Sequence, residues 1–253
     1  MNLAQEYLAQ NKWRDWERML EQLPKGRNQT VLDLGCGPGI VSNLLAARYR
    51  KVVGVDRDVE LLDTARQLCP SNCEFVESDL GHYPYESISP VNGIWSSFTA
   101  AYFPRFVAIL EQWRTCLAHG GWIAIVEIDD LLAGHHPLPT DIRASIEEFG
   151  EYLCSGGQYD FRMGRKVSNY CRAAGLTVIS EHTFPDDELV FEGAASPEVI
   201  AAWKHRFKRM QGMKSYFGDN RFEEIVATLL KTIASPDHYS TATINMVIAK
   251  RFV

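Results

Sequence analysis

Short apolar runs alternate with stretches of helical spacing along most of the chain. Val31–Leu34, KVVGVD to Asp56, CEFVESD to Asp79, GIWSS from Gly93, IAIVEI to Ile128, LTVISEHTF to Phe184 and ATINMVIAKR to Arg251 read as strands. Between them the 3.6-residue spacing predicts helices over 41–49, 60–69, 104–118, 140–155 and 168–174, with two more helical patterns within 197–234 that break around Gly212 and Gly218. At the amino end Leu3, Tyr7, Leu8, Trp13, Trp16, Met19, Leu20 and Leu23 fall at roughly helical spacing, and Pro24 and Gly26 stop the pattern. This predicts one amphipathic helix within 1–26, which packs on the core or serves as a lid through Tyr7, Trp13 or Trp16, the two roles being compatible. The stretch from 194 to 236 exceeds what a connection between two strands needs, so it is expected to form a helical cap.

The most informative stretch is DLGCGPG, Asp33 to Gly39. A buried strand runs into three glycines at alternate positions and then a helix. Glycine tolerates positive φ and lets a ligand approach the backbone. The first N–H groups of the next helix lack intrahelical partners and can bind polar ligand groups. A dinucleotide-binding turn wants G-x-G-x-x-G; here the third glycine arrives one residue early and Ile40 takes its place.

Composition narrows the classes. The 253 residues suffice for a single core with a modest cap. A net charge of −6 without a long Lys/Arg run lacks the footprint of a nucleic-acid binder. No apolar run approaches the roughly 20 residues that span a bilayer, and the amino end is polar and amphipathic rather than a secretory signal. The six cysteines form no C-x-x-C pair; reduced thiols of a cytoplasmic protein are expected, without a metal site.

The glycine turn with Asp33 closely resembles the first motif of class I S-adenosylmethionine-dependent methyltransferases. The resemblance implies a doubly wound, seven-stranded, mostly parallel α/β sheet of Rossmann-like type whose last strand is antiparallel, and S-adenosylmethionine as cofactor. Asp56 follows Asp33 by 23 residues, the strand-to-strand distance of one βαβ step, and a carboxylate there can accept both ribose hydroxyls. By resemblance Asp33 and Gly35 hold the amino-acid tail, Asp56 the ribose, and Asp79 with Leu80 the adenine. Cys36, Gly37, Arg57 and Ser97 complete the expected cofactor set. A carboxylate at Asp79 suits an exocyclic amino group, which donates. The G-G pair Gly120–Gly121 resembles the turn before the fifth strand in this family, with His119 where proline is usual.

The acceptor side is less marked. Ligands in open α/β sheets gather beyond the carboxyl ends of the strands, so His135, His136 and Glu127 are the candidates for a base. Surface histidines before Pro137 would explain the same residues. Tyr102, Tyr159 and Arg162 are candidate substrate contacts, Arg162 through a bidentate grip on a carboxylate; core packing or a surface ion pair would account for them equally. The chain departs from the family here: Ser96, Ser97, Phe98 and Thr99 stand where members often carry an acid or an N-P-P-Y-type motif, and the absence of that motif argues against methylation of a nucleobase amine. The implied reaction is transfer of the sulfonium methyl to an oxygen or nitrogen of a small molecule. Two other functions stay open: a protein that binds the cofactor or its product without turnover, and an NAD-dependent oxidoreductase, against which the early third glycine counts.

Overall fold

In the computed structural model, which describes residues 2–103 and 105–252, the predicted alternation becomes one seven-stranded sheet. Its strands are β1 (Thr30–Leu34), β2 (Lys51–Asp56), β3 (Cys73–Glu77), β4 (Val91–Ser97), β5 (Leu117–Asp129), β7 (Thr177–Phe184) and β9 (Thr243–Lys250), in the order β3-β2-β1-β4-β5-β9-β7. The β1–β2, β2–β3, β1–β4 and β4–β5 pairs are parallel, whereas β9 runs antiparallel to both neighbours. The expected Rossmann-like sheet with an antiparallel last strand is therefore the one observed. The strand order switches at β1, from which the chain adds β2 and β3 on one side and then β4 and β5 on the other, which opens a crevice at the strand ends.

The period-two alternation of the strands sorts their side chains to two cores. Trp122, Ala124, Val126 and Ile128 of β5 face one core with Trp95, Met19, Leu45 and Trp203; Ile123 and Ile125 face the other with Ile94, Phe106 and Trp113. The first core is covered by α2 (Trp16–Glu21), α3 (Ile40–Ala46), α6 (Thr140–Ser155), α8 (Pro197–Arg209) and α10 (Asp219–Ile233), the second by α5 (Phe106–Thr115) and α7 (Val167–Ala173). Helix α4 (Val59–Leu68) joins β2 to β3. Among the described residues no helix is long and apolar enough to cross a membrane.

Four elements differ from the sequence pattern. The amino end is not one helix: α1 (Leu3–Gln10) is followed by a 3₁₀ turn over Asn11–Trp13, an extended Arg14, and α2. Arg14 forms a β-bridge with Asp186, and that pairing outweighs the local helical spacing. The region from 197 to 233 holds three helices, with α9 (Gln211–Phe217) between α8 and α10; the breaks fall at Met210 and Gly218, and Gly212 lies inside α9. The Gly120–Gly121 turn lies within β5, where the ladder to β4 is irregular between Val91 and Gly93. His135–His136, expected in a loop, form the short strand β6, which pairs with β8 (Tyr239–Ser240). The expected helix start at Pro104 lies outside the described residues; α5 begins at Phe106.

Candidate functional site

The glycine turn takes the conformation its spacing predicts. Gly35, Gly37 and Gly39 have φ of +77°, +50° and +78°, the left-handed region that other residues enter only with strain. Gly39 caps α3. A side chain there would strike Ala65 Cβ at 2.8 Å and Cys69 Sγ at 2.9 Å, so α4 packs directly on the turn. Beneath it Asp33 is buried and accepts from Ser42 Oγ at 2.6 Å. Burial and the nearby Asp56 push its carboxyl up to about 7.

The other two acids lie where the strands end. Asp56 closes β2: its Oδ2 accepts from Gly37 N at 2.8 Å and its Oδ1 from Asp58 N at 3.0 Å. A carboxylate has roughly four acceptor positions, which leaves two of them for vicinal hydroxyls. Asp79, just beyond β3, accepts from Gly81 N at 2.8 Å through Oδ1, and Leu80 beside it is buried.

These groups open onto one cleft of about 750 Å³. Asp33, Gly35, Cys36, Gly37, Asp56, Arg57, Asp79, Leu80 and Ser97, the whole set expected around the cofactor, line it. So do Tyr102 and Tyr159. Their rings meet edge to face at 4.9 Å between centroids. The volume suits a nucleoside with an amino-acid tail plus a small second ligand.

The remaining candidates lie elsewhere. His135 is fully buried; its Nδ1 meets His238 Nε2 at 3.0 Å and its ring lies edge-on to Trp203 at 5.0 Å. Burial and His238 lower it to about 3, so the ring is neutral near pH 7 and only a weak base. His136 stacks on Tyr239 at 4.8 Å and contacts Arg143. Neither imidazole lines the cleft, because the β6–β8 pairing turns both away from it. Arg162 lies within reach of Asp130, Glu147 and Glu151 and also lines no part of the cleft. Glu127 is buried and does not line the cleft; its Oε1 accepts from Ala101 N at 3.2 Å and its Oε2 has no partner. Burial drives its carboxyl up to about 8.

Among the contributors to the cleft wall that sequence reasoning missed are Arg14, Gln158, Leu189 and Arg206. Arg206 sits in the basic run KHRFKR of α8, where nothing in the spacing separates it from Arg209 or Lys208. Arg14 is hidden by the apparent helix. Buried Glu188 joins the two arginines: it accepts from Arg14 Nη2 at 2.6 Å and from Arg206 Nη2. Arg14 Nη1 also reaches Asp186 at 2.6 Å. Burial opposes ionisation of Glu188, yet Arg206 and Arg14 hold its carboxyl below the ordinary range.

Comparison with known proteins places these features. Residues 31–121 match the family model described as a methyltransferase domain. The trans-aconitate 2-methyltransferase of Rhizobium etli is 32% identical over 115 residues, which are 45% of this chain and 44% of that protein. The enzyme of the same name from Azoarcus sp. strain BH72 is 34% identical over 125 residues, 48% of each. The chain thus spans about half the length of the curated relatives it matches. Solved structures share the fold more widely. An S-adenosylmethionine-dependent methyltransferase from Mesorhizobium loti superposes with a TM-score of 0.55 at 14% identity, covering 94% of this chain and 97% of that one. The mycolic acid cyclopropane synthase in complex with S-adenosylhomocysteine gives 0.61 at 16% identity, over 99% and 86%. The cyclase SpnF gives 0.62 at 14%, over 98% and 82%. Residues 31–121, which carry the glycine turn and the strand-end acids, thus match a methyltransferase domain, on the fold that these solved structures share.

Proposed function

We propose that the protein transfers a methyl group from S-adenosylmethionine to an oxygen or nitrogen of a small molecule. The observation that carries this reading is the single cleft lined by the whole expected cofactor set, with room left beyond Ser97 and Tyr102. Asp33 and the turn from Gly35 to Gly37 would hold the amino-acid tail, Asp56 and Arg57 the ribose, and Asp79 and Leu80 the adenine. The bound cofactor supplies a sulfonium methyl that is already activated. The protein's own part is then to align an acceptor and keep water away. Tyr7, Trp16, Phe98, Tyr102 and Tyr159 supply a largely aromatic wall for that purpose.

Among the described residues the acceptor end of the cleft is lined by no carboxylate and no imidazole. A nucleophile that is ionised before it binds needs no base. The lining therefore favours an oxygen nucleophile such as a carboxylate over a neutral alcohol, in keeping with the substrate that the Rhizobium and Azoarcus relatives are named for. The same missing base supports a second reading, in which the cofactor binds without turnover. We read residues 1–253 as a single domain, 194–236 as a cap that brings Arg206 to the cleft, and the protein as cytoplasmic, in keeping with its unpaired cysteines.

Calorimetry with S-adenosylhomocysteine, followed by a radiolabelled methyl-transfer screen over small carboxylates, amines and alcohols, tests the proposal. Tight binding with transfer to one class supports it. Binding with no transfer to any class favours the second reading, and tighter binding of NAD(H) overturns both.

A further inference from the structure

The cleft is electrically divided. Its lining acids, Asp33, Asp56, Asp58 and Asp79, all belong to the glycine turn and to the ends of β2 and β3. The opposite wall carries Arg14 and Arg206 and no lining acid among the described residues. The two arginines differ in what they have left to give. Arg14 uses both terminal nitrogens, one on Asp186 and one on Glu188. Arg206 uses Nη2 on Glu188, while its Nε is buried without a partner. A buried N–H left unpaired is costly unless a ligand completes it.

The groups around Arg206 are donors too. Tyr7, Tyr102 and Tyr159 line the same cleft, and their electrostatic influence reaches Arg206. None of the three hydroxyls has a hydrogen-bond partner among the described residues. Burial pushes Tyr7 up to about 12 and raises Tyr102 and Tyr159, so all three keep their protons. Arg206 also lies over the Trp203 ring, 5.1 Å from its centroid, and Glu188 is completely enclosed. The guanidinium is thus fixed in place before any ligand arrives, which lowers the entropy lost on binding.

We propose that Arg206, braced by Glu188 and ringed by Tyr7, Tyr102 and Tyr159, is a carboxylate-binding subsite of the cleft. A guanidinium edge together with phenol donors matches the acceptor lone pairs of a carboxylate. The carboxylate can come from the acceptor molecule or from the amino-acid tail of the cofactor. The inference rests on the proposed cofactor site, and the test separates the two.

Three probes are titrated by calorimetry into the wild type, Arg206→Met, Arg206→Lys and Tyr159→Phe. They are S-adenosylhomocysteine, 5′-methylthioadenosine (the nucleoside thioether without the tail), and trans-aconitate added to the S-adenosylhomocysteine complex. Arg206→Met leaves Glu188 paired to Arg14. It is expected to weaken one carboxylate probe by about 10- to 100-fold, as loss of a charged hydrogen bond does. Arg206→Lys and Tyr159→Phe should weaken it less, and 5′-methylthioadenosine should bind all four proteins alike. Loss confined to trans-aconitate assigns the carboxylate to the acceptor; loss of S-adenosylhomocysteine assigns it to the cofactor tail. If Arg206→Met fails to fold, the other two variants decide. The proposal is overturned if every variant binds both carboxylate probes as the wild type does, or if trans-aconitate gives no heat while S-adenosylhomocysteine binding is unchanged. Should the wild type bind neither nucleoside, the cofactor reading fails, and trans-aconitate titrated into the ligand-free protein still tests Arg206.

Discussion

The backbone N–H of Gly37 donates to Asp56 Oδ2 across 2.8 Å. One bond therefore ties the middle of the glycine turn to the end of the second strand, and the two halves of the proposed cofactor grip are set relative to each other by it. Asp56→Ala removes this tie and the proposed ribose acceptor together. The variant should bind S-adenosylhomocysteine about 10- to 100-fold more weakly in calorimetry. Unchanged affinity would remove Asp56 from the site.

Gly39 has φ of +78° and lies against Ala65 and Cys69. Gly39→Ala forces a side chain into the left-handed region and into α4. It should cost about 1–3 kcal/mol of stability, read by urea unfolding, with a parallel loss of cofactor affinity. A variant as stable as the wild type would mean that α4 can retreat.

These two predictions rest on what the sequence shows most clearly. The turn, its strand and Asp56 are local: a short run of chain contains both the residues and the reason for them, since alternate glycines permit only certain backbones. The strands of the sheet were legible for the same reason, as apolar runs that stop at acids or glycines. The acceptor wall was not. Arg14, Leu189 and Arg206 come together through the Arg14–Asp186 bridge and through Glu188, and no spacing along the chain announces contacts between residues 172 and 174 positions apart. The same non-local pairing ended the apparent amino-terminal helix. His135 and His136 misled because two histidines after a strand suggest proton chemistry, whereas their strand pairing with Tyr239 and Ser240 carries them away from the cleft.

Glu127 makes stability depend on pH. In the folded protein it keeps its proton up to about 8, against about 4.5 for an ordinary glutamate. The folded state therefore binds the proton more tightly than the unfolded chain. Its stability falls as pH rises through this interval and is unaffected by this group below it. Glu127→Gln keeps an acceptor for Ala101 N and has no charge to acquire. Thermal melts should agree near pH 4.5 and diverge toward pH 8, the variant becoming the more stable. Parallel curves would show that Glu127 is ionised throughout.

Arg14→Met deprives Asp186 and Glu188 of a shared cation inside the protein, where their side chains are 0% exposed. Breaking a buried pair from one side costs about 3–5 kcal/mol, and denaturant unfolding should show a loss of that order. A loss below about 1 kcal/mol, the range of exposed pairs, would mean that the network opens to water.

His136→Ala should leave S-adenosylhomocysteine affinity within about twofold of the wild type, because its ring packs on Tyr239 and contacts Arg143 outside the cleft. A larger change would return His136 to the site.

Glu188 serves one cation from near the amino end and another from the eighth helix. Its neighbours on both sides are consequently bound to it in descent as well as in space. A lineage that exchanged either arginine for a neutral residue would carry a misfit carboxylate until it changed Glu188 as well. Across related chains these three positions should be kept or abandoned as a set.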